Sequence, residues 1–256
     1  MSNYVVTDAE LTAVADVIRA KRGTSTKLSF PEEWKSAISA ISSDGVYIPM
    51  EPYIEEIYNS KGELINAIMH GYTKIRAYHF SYCSSLALTS LPAGITTIGY
   101  CAFLSCSSLA LTSLPAGITT IEASAFESCP SLALTSLPAG ITTIKNNTFK
   151  DCRSLALTSL PAGITTIEEY AFLYCRSLAL TSLPAGITTI KSHAFRDCTG
   201  LTSITFKGKV TDIAGNAFTG CTNLTSIKVP WAEGAVANAP WGATNATITY
   251  NYTESA

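Results

Sequence analysis

A phrase of fourteen residues, SLALTSLPAGITTI, recurs letter for letter along this chain and restricts the folds open to it. The phrase begins at Ser85, Ser108, Ser131, Ser154 and Ser177, so successive copies start 23 residues apart. Cysteines keep the same spacing beyond the last identical copy: Cys83, Cys106, Cys129, Cys152, Cys175, Cys198 and Cys221. A fixed period of about 20 to 50 residues is typical of solenoids, in which each repeat forms one coil packed on its neighbours. The period therefore predicts a solenoid.

Apolar residues occupy fixed positions of the repeat. With the cysteine as position 1, they fall at positions 4, 6, 9, 13, 16, 20 and 21: Leu86, Leu88, Leu91, Ile95, Ile98, Ala102 and Phe103 in the first copy. In the last two repeats position 7, as at Ile204, replaces position 6, which leaves open which of the two points inward in the identical copies. Stacked coils lay like side chains over one another. We therefore expect a structural ladder of the seven cysteines and another of phenylalanines: Phe80, Phe103, Phe126, Phe149, Phe172, Phe195 and Phe218.

This pattern resembles the BspA-like leucine-rich repeats, whose repeat reads Cys-x-x-Leu-x-x-Ile-x-Ile-Pro-x-x-Val-x-x-Ile-x-x-x-Ala-Phe-x-x. The resemblance extends from about Ile75 to Pro230, and the identical copies depart from it at position 7, where Thr89 and its equivalents stand. It implies a leucine-rich-repeat solenoid of short stacked β-strands, here over residues 83–229. It also implies a non-enzymatic role in binding or adhesion.

Residues 1–45 are predicted to form an α-helical hairpin. Thr7 and Glu10 form a capping box, apolar residues then fall on one helical face, and a second short helix follows Pro31. The segment resembles the N-terminal segment of tail-associated proteins from phages and prophages of Gram-positive hosts. That resemblance implies an attachment segment, and a hairpin that simply caps the solenoid is the alternative.

Residues 46–82 are predicted to form an N-terminal cap and an irregular first coil. Short strands are indicated by Val46, Tyr47 and Ile48 and then by Tyr53, Ile54 and Ile57, and the polar run Asn59–Gly62 indicates a turn. Ile68 and Ile75 are expected to lie in solenoid register and to point inward. This segment would close one apolar end of the stack.

Residues 230–256 are predicted to form a β cap at the other end. The alternation over residues 246–250 indicates its strand. We expect Trp231 and Trp241 to be buried over the last coil rather than to form a sugar-binding platform. This ending also resembles the C-terminal caps of phage-borne repeats of this kind.

Composition argues against several classes of function. The 256 residues carry 17 basic and 19 acidic side chains, a net charge of −2, which offers no electrostatic surface for nucleic acid. No apolar run reaches 18 residues, so no membrane insertion is expected. His70, His79 and His193 are scattered, and no phosphate loop, zinc spacing or paired-carboxylate pattern converges. We therefore predict no catalytic residue, no metal site and no cofactor.

The eight cysteines are expected to be free thiols. Seven share one repeat position and should point into the core, where a cysteine behaves as a small apolar residue. Cys101 lies outside this ladder, at a position where later copies have Ser124 or Asn147. It is expected to be an exposed thiol.

Variation between copies is concentrated at positions 17 to 19, 22, 23 and 2 of the repeat. Charge, size and aromatic character all change there, while the fourteen-residue phrase stays constant. Two explanations stand: drift at solvent-facing positions after duplication, or a binding face that is free to change. On the second explanation the candidate binding residues are Tyr100, Glu122, Lys145, Asn147, Glu168, Tyr170, Lys191 and His193.

These patterns together predict a non-enzymatic binding solenoid. The resemblance at both ends implies a tail-associated protein of a phage or prophage that recognises a host surface. Its expected partners are a host-cell surface protein or glycan, or other virion proteins, and oligomerisation is left open. The sequence begins without a signal peptide, which favours the virion, or the host cytoplasm before assembly. The alternatives are a BspA-like adhesin, secreted or on the bacterial cell surface, and a structural spacer without a ligand.

Overall fold

The computed structural model describes residues 53–253. The chain divides into two compact units, Met1–Glu51 and Pro52–Ala256, and the described residues belong to the second. The helical hairpin predicted over residues 1–45 and the strand predicted at residues 46–48 lie outside the described residues. Within residues 53–253 the secondary structure consists of short strands, without an α-helix.

We call the repeats that begin at the seven ladder cysteines coils 1 to 7. Most strands of these coils are two residues long. The strands are β1 (Tyr53–Tyr58), β2 (Leu64–His70), β3 (Lys74–Ile75), β4 (Thr97–Ile98), β5 (Thr120–Ile121), β6 (Thr143–Ile144), β7 (Thr166–Ile167), β8 (Ser182–Leu183), β9 (Thr189–Ile190), β10 (Ser203–Phe206), β11 (Asp212–Ile213), β12 (Ser226–Lys228) and β13 (Thr247–Thr249).

Equivalent strands of successive coils pair in parallel. β3, β4 and β5 form one sheet, β6, β7, β9 and β11 a second, and β8, β10, β12 and β13 a third. The register places like on like, as where Ile98 lies beside Ile121 and Thr97 beside Thr120. A β-branched threonine and isoleucine suit a half-buried strand, with the isoleucine inward. The predicted solenoid of stacked short strands is confirmed.

The open question at positions 6 and 7 has a different answer in the two groups of coils. In the identical copies the leucine at position 6, as at Leu88, is buried and the threonine at position 7, as at Thr89, is exposed. In coil 6, Ile204 at position 7 and Phe206 at position 9 are both buried. Inward residues two apart match the alternation of a strand, so β10 forms there; inward residues three apart do not. Four of the five identical copies accordingly have no strand at this place.

In each of coils 1 to 5, two residues near the end of the coil have φ values in the left-handed region of backbone conformation. In coil 1 these are Cys101 (φ 51°) and Ser105 (φ 59°), at positions 19 and 23. The N–H groups of Cys101, Phe103 and Ser105 donate to carbonyl oxygens of Ala123, Ala125 and Glu127 in the next coil, at 3.1, 2.8 and 2.8 Å. The left-handed residues thus let alternate amides face the next coil and join the stack on this side.

Two buried ladders run through the coils. The phenylalanine rings stack with centroids 5.5 Å apart between Phe103 and Phe126 and 5.1 Å apart between Phe195 and Phe218. Each ladder cysteine from Cys106 onward donates its thiol proton to a phenylalanine carbonyl 26 residues earlier, as from Cys106 Sγ to Phe80 O at 2.9 Å. The cysteine therefore satisfies a buried carbonyl in addition to filling space.

The expectation that Cys101 is an exposed thiol was wrong. Cys101 is buried, with 4% of its surface exposed. Cys101 has a left-handed backbone and a short side chain, and Ser124 at the same repeat position is buried in the same way. The longer Asn147 at this position is half-buried. Cys83, the first member of the ladder, packs against the core as expected but is only half-buried.

The N-terminal cap is an antiparallel hairpin of β1 and β2. Asn59 closes its turn by accepting the N–H of Gly62, whose φ of 77° suits a glycine. Ala67 and Met69 point into the core, so Ile68 between them is 42% exposed. The expectation that Ile68 points inward was wrong by one residue, which in a strand reverses the face.

The C-terminal cap closes the stack with aromatic residues. Trp231 and Trp241 are buried and pack on Phe206, with ring centroids 5.3 and 6.1 Å away. β13 pairs in parallel with β12 and adds the last strand of the third sheet. Both tryptophans are therefore part of the core, as expected from the sequence, and offer no platform to a ligand.

Candidate binding surface

The variable positions of the repeat form one surface, which we call the variable ridge: positions 17 to 19, 22, 23 and 2 of each coil. Because like positions of successive coils are neighbours, candidates that are 23 residues apart in sequence come into contact. Lys145 Nζ lies 2.6 Å from a Glu122 carboxylate oxygen. The Tyr170 and His193 rings stack at 5.3 Å. The ridge remains a predicted binding surface whose residues the fold gathers together.

The middle of the ridge is polar and its charges are paired. Besides Glu122 and Lys145, Lys150 bonds Glu127 at 2.8 Å, and both pairs link coil 2 to coil 3. Their side chains are about one-third exposed or less, so each pair contributes on the order of 0.2 to 1 kcal/mol. The Glu168 carboxylate accepts the backbone N–H of Asn146 at 2.9 Å.

The remaining candidates have less specific surroundings. Asn147 is in the left-handed region, which asparagine tolerates well, and its N–H donates to Glu169 O at 3.1 Å. Lys191 is exposed. His193 Nε2 lies 3.2 Å from the Asn216 amide, and its buried Nδ1 has no hydrogen-bond partner among the described residues.

Aromatic side chains mark the end of the ridge nearest the N-terminal cap. Tyr100 packs edge-on against Tyr78 at 5.3 Å, and both are exposed, as is Tyr82. A hydrogen bond with Cys101, together with the charges of Cys101 and Tyr78 when ionised, raises the pKa of Tyr100 to about 12. Its phenol therefore stays protonated and able to donate a hydrogen bond at neutral pH.

The sequence-based selection of residues left out three aromatic members of the ridge: Tyr78, Tyr82 and Tyr174. Tyr78 lies in the irregular coil before coil 1, and Tyr82 and Tyr174 occupy position 23. Extending the frame by one coil toward the N-terminus would have identified Tyr78 and Tyr82. Position 23 already varied between copies, so the sequence did contain the pattern that includes Tyr174.

Nothing in the described part of the chain supports catalysis. Residues 53–253 contain no group of three or more histidine, cysteine or acidic side chains that could hold a metal. Burial raises the pKa of the ladder thiols, as at Cys152, so they are not activated nucleophiles. A cleft of about 300 Å³ between β2 and coil 1 has no titratable side chain in its wall, which runs over residues 66–69 and 87–92. No helix in residues 53–253 is long and apolar enough to cross a membrane.

Stacked 23-residue coils with a continuous apolar core define a leucine-rich-repeat solenoid. A family profile described as BspA type Leucine rich repeat region matches residues 73–199 and 165–235, which is more than half of the chain. The chain belongs to this family. Its members are typically proteins of surface adhesion or binding and are generally not enzymes.

Several solved structures are similar to this chain. A leucine-rich repeat protein from T. pallidum, TpLRR, is 26% identical over 67% of this chain and 87% of its own, with a TM-score of 0.53. One from Bacteroides ovatus is 20% identical over 80% of this chain and 76% of its own, with a TM-score of 0.39. A leucine rich cell surface protein from Faecalibacterium prausnitzii is 19% identical over 83% and 97%, with a TM-score of 0.32. Comparison with curated proteins finds no match.

Proposed function

We propose that this protein is an adhesion solenoid that recognises a bacterial cell surface through the variable ridge. The observation that supports the proposal is the location of the variation. Five copies are identical over fourteen consecutive residues, yet charge, size and aromatic character change between coils on the ridge. The residues at the constant positions form the core and the surface of each coil outside the ridge. The ridge is therefore where one coil can differ from the next without loss of the fold.

The proposed setting is the tail of a phage or prophage, with a host-surface protein or glycan as the partner. The resemblance of residues 1–45 and of the Trp231 to Trp241 cap to phage-borne proteins supports this setting. Residues 1–45 would attach the protein to other virion proteins, and the repeats would reach the host. The proposed location is accordingly the virion, or the host cytoplasm before assembly.

A bacterial surface adhesin is the second candidate function. Family membership favours it, because BspA-type repeats typically occur in adhesion or binding proteins. The ridge would serve the same purpose in that setting, and the protein would be located on the bacterial cell surface. The two candidates differ in what residues 1–45 attach to, and agree on the binding surface.

Retention by whole cells tests the proposal. Labelled protein is mixed with a panel of Gram-positive and Gram-negative strains, and the bound fraction is measured after washing. The ridge variant exchanges E122K and K145E, which keeps the ion pair that joins two coils but reverses its direction. The matched control is Thr135→Ser, on the constant face and exposed.

We expect at least one strain to retain the wild-type protein and the control equally. The exchange should weaken retention by about tenfold, the effect of about 1.4 kcal/mol. Circular dichroism should show all three proteins equally folded. Retention by no strain, or equal retention of the ridge variant, would overturn the proposal.

A further inference from the structure

Three aromatic residues of the ridge lie where folding does not favour them. Tyr78, Tyr82 and Tyr100 are 57%, 70% and 44% exposed, so much of each ring is left in water. A large aromatic side chain ordinarily contributes to stability by being buried. Three exposed tyrosines on neighbouring coils therefore contribute little of that stabilisation.

The backbone makes two of these tyrosines unfavourable in a second way. Tyr78 and Tyr82 have φ values of 59° and 62°, in the left-handed region, which costs a residue with a Cβ roughly 1 to 2 kcal/mol. Other coils meet the same requirement with residues better suited to it, such as Asn147 at position 19 and Gly220 at position 23. Strain of this kind at an exposed side chain indicates a role in binding.

A second aromatic group lies further along the ridge, where its rings are half-buried. Tyr170 and Tyr174 occupy the positions of Tyr78 and Tyr82, four coils later, and also lie in the left-handed region at φ 57° and 63°. The imidazole of His193 stacks on Tyr170 with an interplanar angle of 20°. At about 4.8 Å per coil, the two groups are roughly 19 Å apart along the stack.

The surface between the two groups selects a chemical class of partner. Carboxylate, amide and ammonium groups there can bond hydroxyls, while the ion pairs leave little net charge to attract an anionic polymer. A pyranose ring presents a face of C–H groups that packs on an aromatic ring and a rim of hydroxyls that takes part in hydrogen bonds. An extended neutral glycan therefore matches both the rings and the polar strip.

The geometry points to an extended neutral glycan as the ligand of the ridge, with sugar rings stacked on Tyr78, Tyr82 and Tyr100 at one end and on Tyr170, Tyr174 and His193 at the other. This inference rests on the proposed function and adds the class of ligand. Two weak platforms on one polymer reinforce each other, because binding at one raises the effective concentration at the second. Loss of either platform should therefore weaken binding strongly.

Asparagine substitutions test the inference, since asparagine adopts the left-handed region more easily than tyrosine. Y82N and Y174N each remove a ring from one platform and relax the backbone. Thr135→Asn is the control, because Thr135 is exposed on the constant face, outside the ridge, and carries no ring. We expect Tm to stay level or rise in all three variants. A ring with only a structural role would instead lower Tm when removed.

Binding is measured on immobilised cell-wall polysaccharides purified from a panel of bacteria, intact and after periodate oxidation of their vicinal diols. We expect the wild-type protein and T135N to bind at least one intact polysaccharide equally, and to lose binding after oxidation. Y82N and Y174N should each bind at least tenfold more weakly.

Whole cells distinguish failure of this inference from failure of the proposed function. Cells treated with periodate should lose retention of the protein, and cells treated with protease should keep it. If cells retain the protein in a way that protease abolishes and periodate does not, the adhesion role stands and the glycan is wrong. If no polysaccharide binds, or if Y82N and Y174N bind as the wild type does, the inference is overturned.

Discussion

At the scale of single residues, the cysteine ladder combines packing with hydrogen bonding. The Cys152 thiol donates to Phe126 O at 3.0 Å from a site with no exposed surface. An alanine would leave that carbonyl less well satisfied, and a larger residue would not fit a core of stacked rings. The same burial raises the pKa of the thiol, which keeps its proton available for donation.

Thiol reactivity follows from this burial. We expect only Cys83 to react with an aromatic disulfide reagent in the native protein, and all eight cysteines in denaturant. Its reaction should be slow, because partial burial raises the pKa of Cys83 and reduces the thiolate fraction. The number of reactive thiols and their rates are measured from the chromophore released over time. Rapid native reaction of several thiols would show that the ladder does not face the core.

Single residues also show what sequence reasoning could and could not reach. The inward direction of Phe103 and Ile98 follows from periodicity alone, because every copy has the same residue there. The left-handed conformation at Cys101 was not predicted, because Cys101 itself gives no indication of it and the asparagine that favours it, Asn147, stands at this position only in a later copy. Without that conformation, the burial of Cys101 and the strain at Tyr82 could not be recognised. Contacts along the ridge, as between Tyr170 and His193, required the coils to be stacked first.

At the scale of elements, the two-residue strands at positions 15 and 16 of the repeat pair from coil to coil, and this pairing is interrupted between coils 2 and 3. β5 belongs to one sheet and β6 to another, whereas all their neighbours pair. The ion pairs of Lys145 with Glu122 and of Lys150 with Glu127 join these same two coils. Side chains therefore support the stack where strand pairing does not.

Removal of both ion pairs should destabilise the protein modestly and in a salt-dependent way. The variant K145A/K150A is expected to lose about 0.5 to 2 kcal/mol of unfolding free energy at low salt, and less at 1 M salt, where charges are screened. Arg153→Ala is the control, since its partner Asp151 is only two residues away in sequence and the pair does not bridge equivalent positions of stacked coils. Urea unfolding at both ionic strengths measures the difference. A loss that salt leaves unchanged would mean that packing, rather than charge, accounts for it.

At the scale of the whole molecule, six buried thiols make stability depend on alkaline pH. Burial raises the pKa of each thiol from Cys106 to Cys221, in the last case to about 12. A group whose folded pKa is raised stabilises the protein below its unfolded pKa, near 8.5, and that stabilisation is lost as pH rises toward the folded value. Each thiol contributes about 1.4 kcal/mol per pH unit across this window.

We therefore expect the urea midpoint to be flat from pH 7 to 8 and to fall steeply above about pH 9, in the presence of a reductant. Cys152→Ser keeps a donor for Phe126 O but removes one ionisable thiol. Its stability should decline less steeply with pH, by about 1.4 kcal/mol per unit. Equal slopes for the two proteins would show that other groups cause the alkaline loss.

Because each coil packs only on its neighbours, one internal coil should be removable without loss of the fold. Two deletions of equal length test this expectation. Removal of residues 152–174 would bring β6 beside β9, and the residues that meet there, Thr143 with Thr189 and Ile144 with Ile190, are the same types that pair now. The solenoid should shorten by about 4.8 Å, stay monomeric and lose only one interface between coils.

Removal of residues 231–253 instead takes away Trp231, Trp241 and β13, and uncovers Phe206 and β12 at the end of the stack. An open apolar end with an unpaired strand edge favours association between molecules. We expect a lower Tm by circular dichroism and larger particles by light scattering for this variant, and neither for the internal deletion. An internal deletion that unfolds, beside a terminal deletion that stays monomeric and stable, would contradict nearest-neighbour stability in this stack.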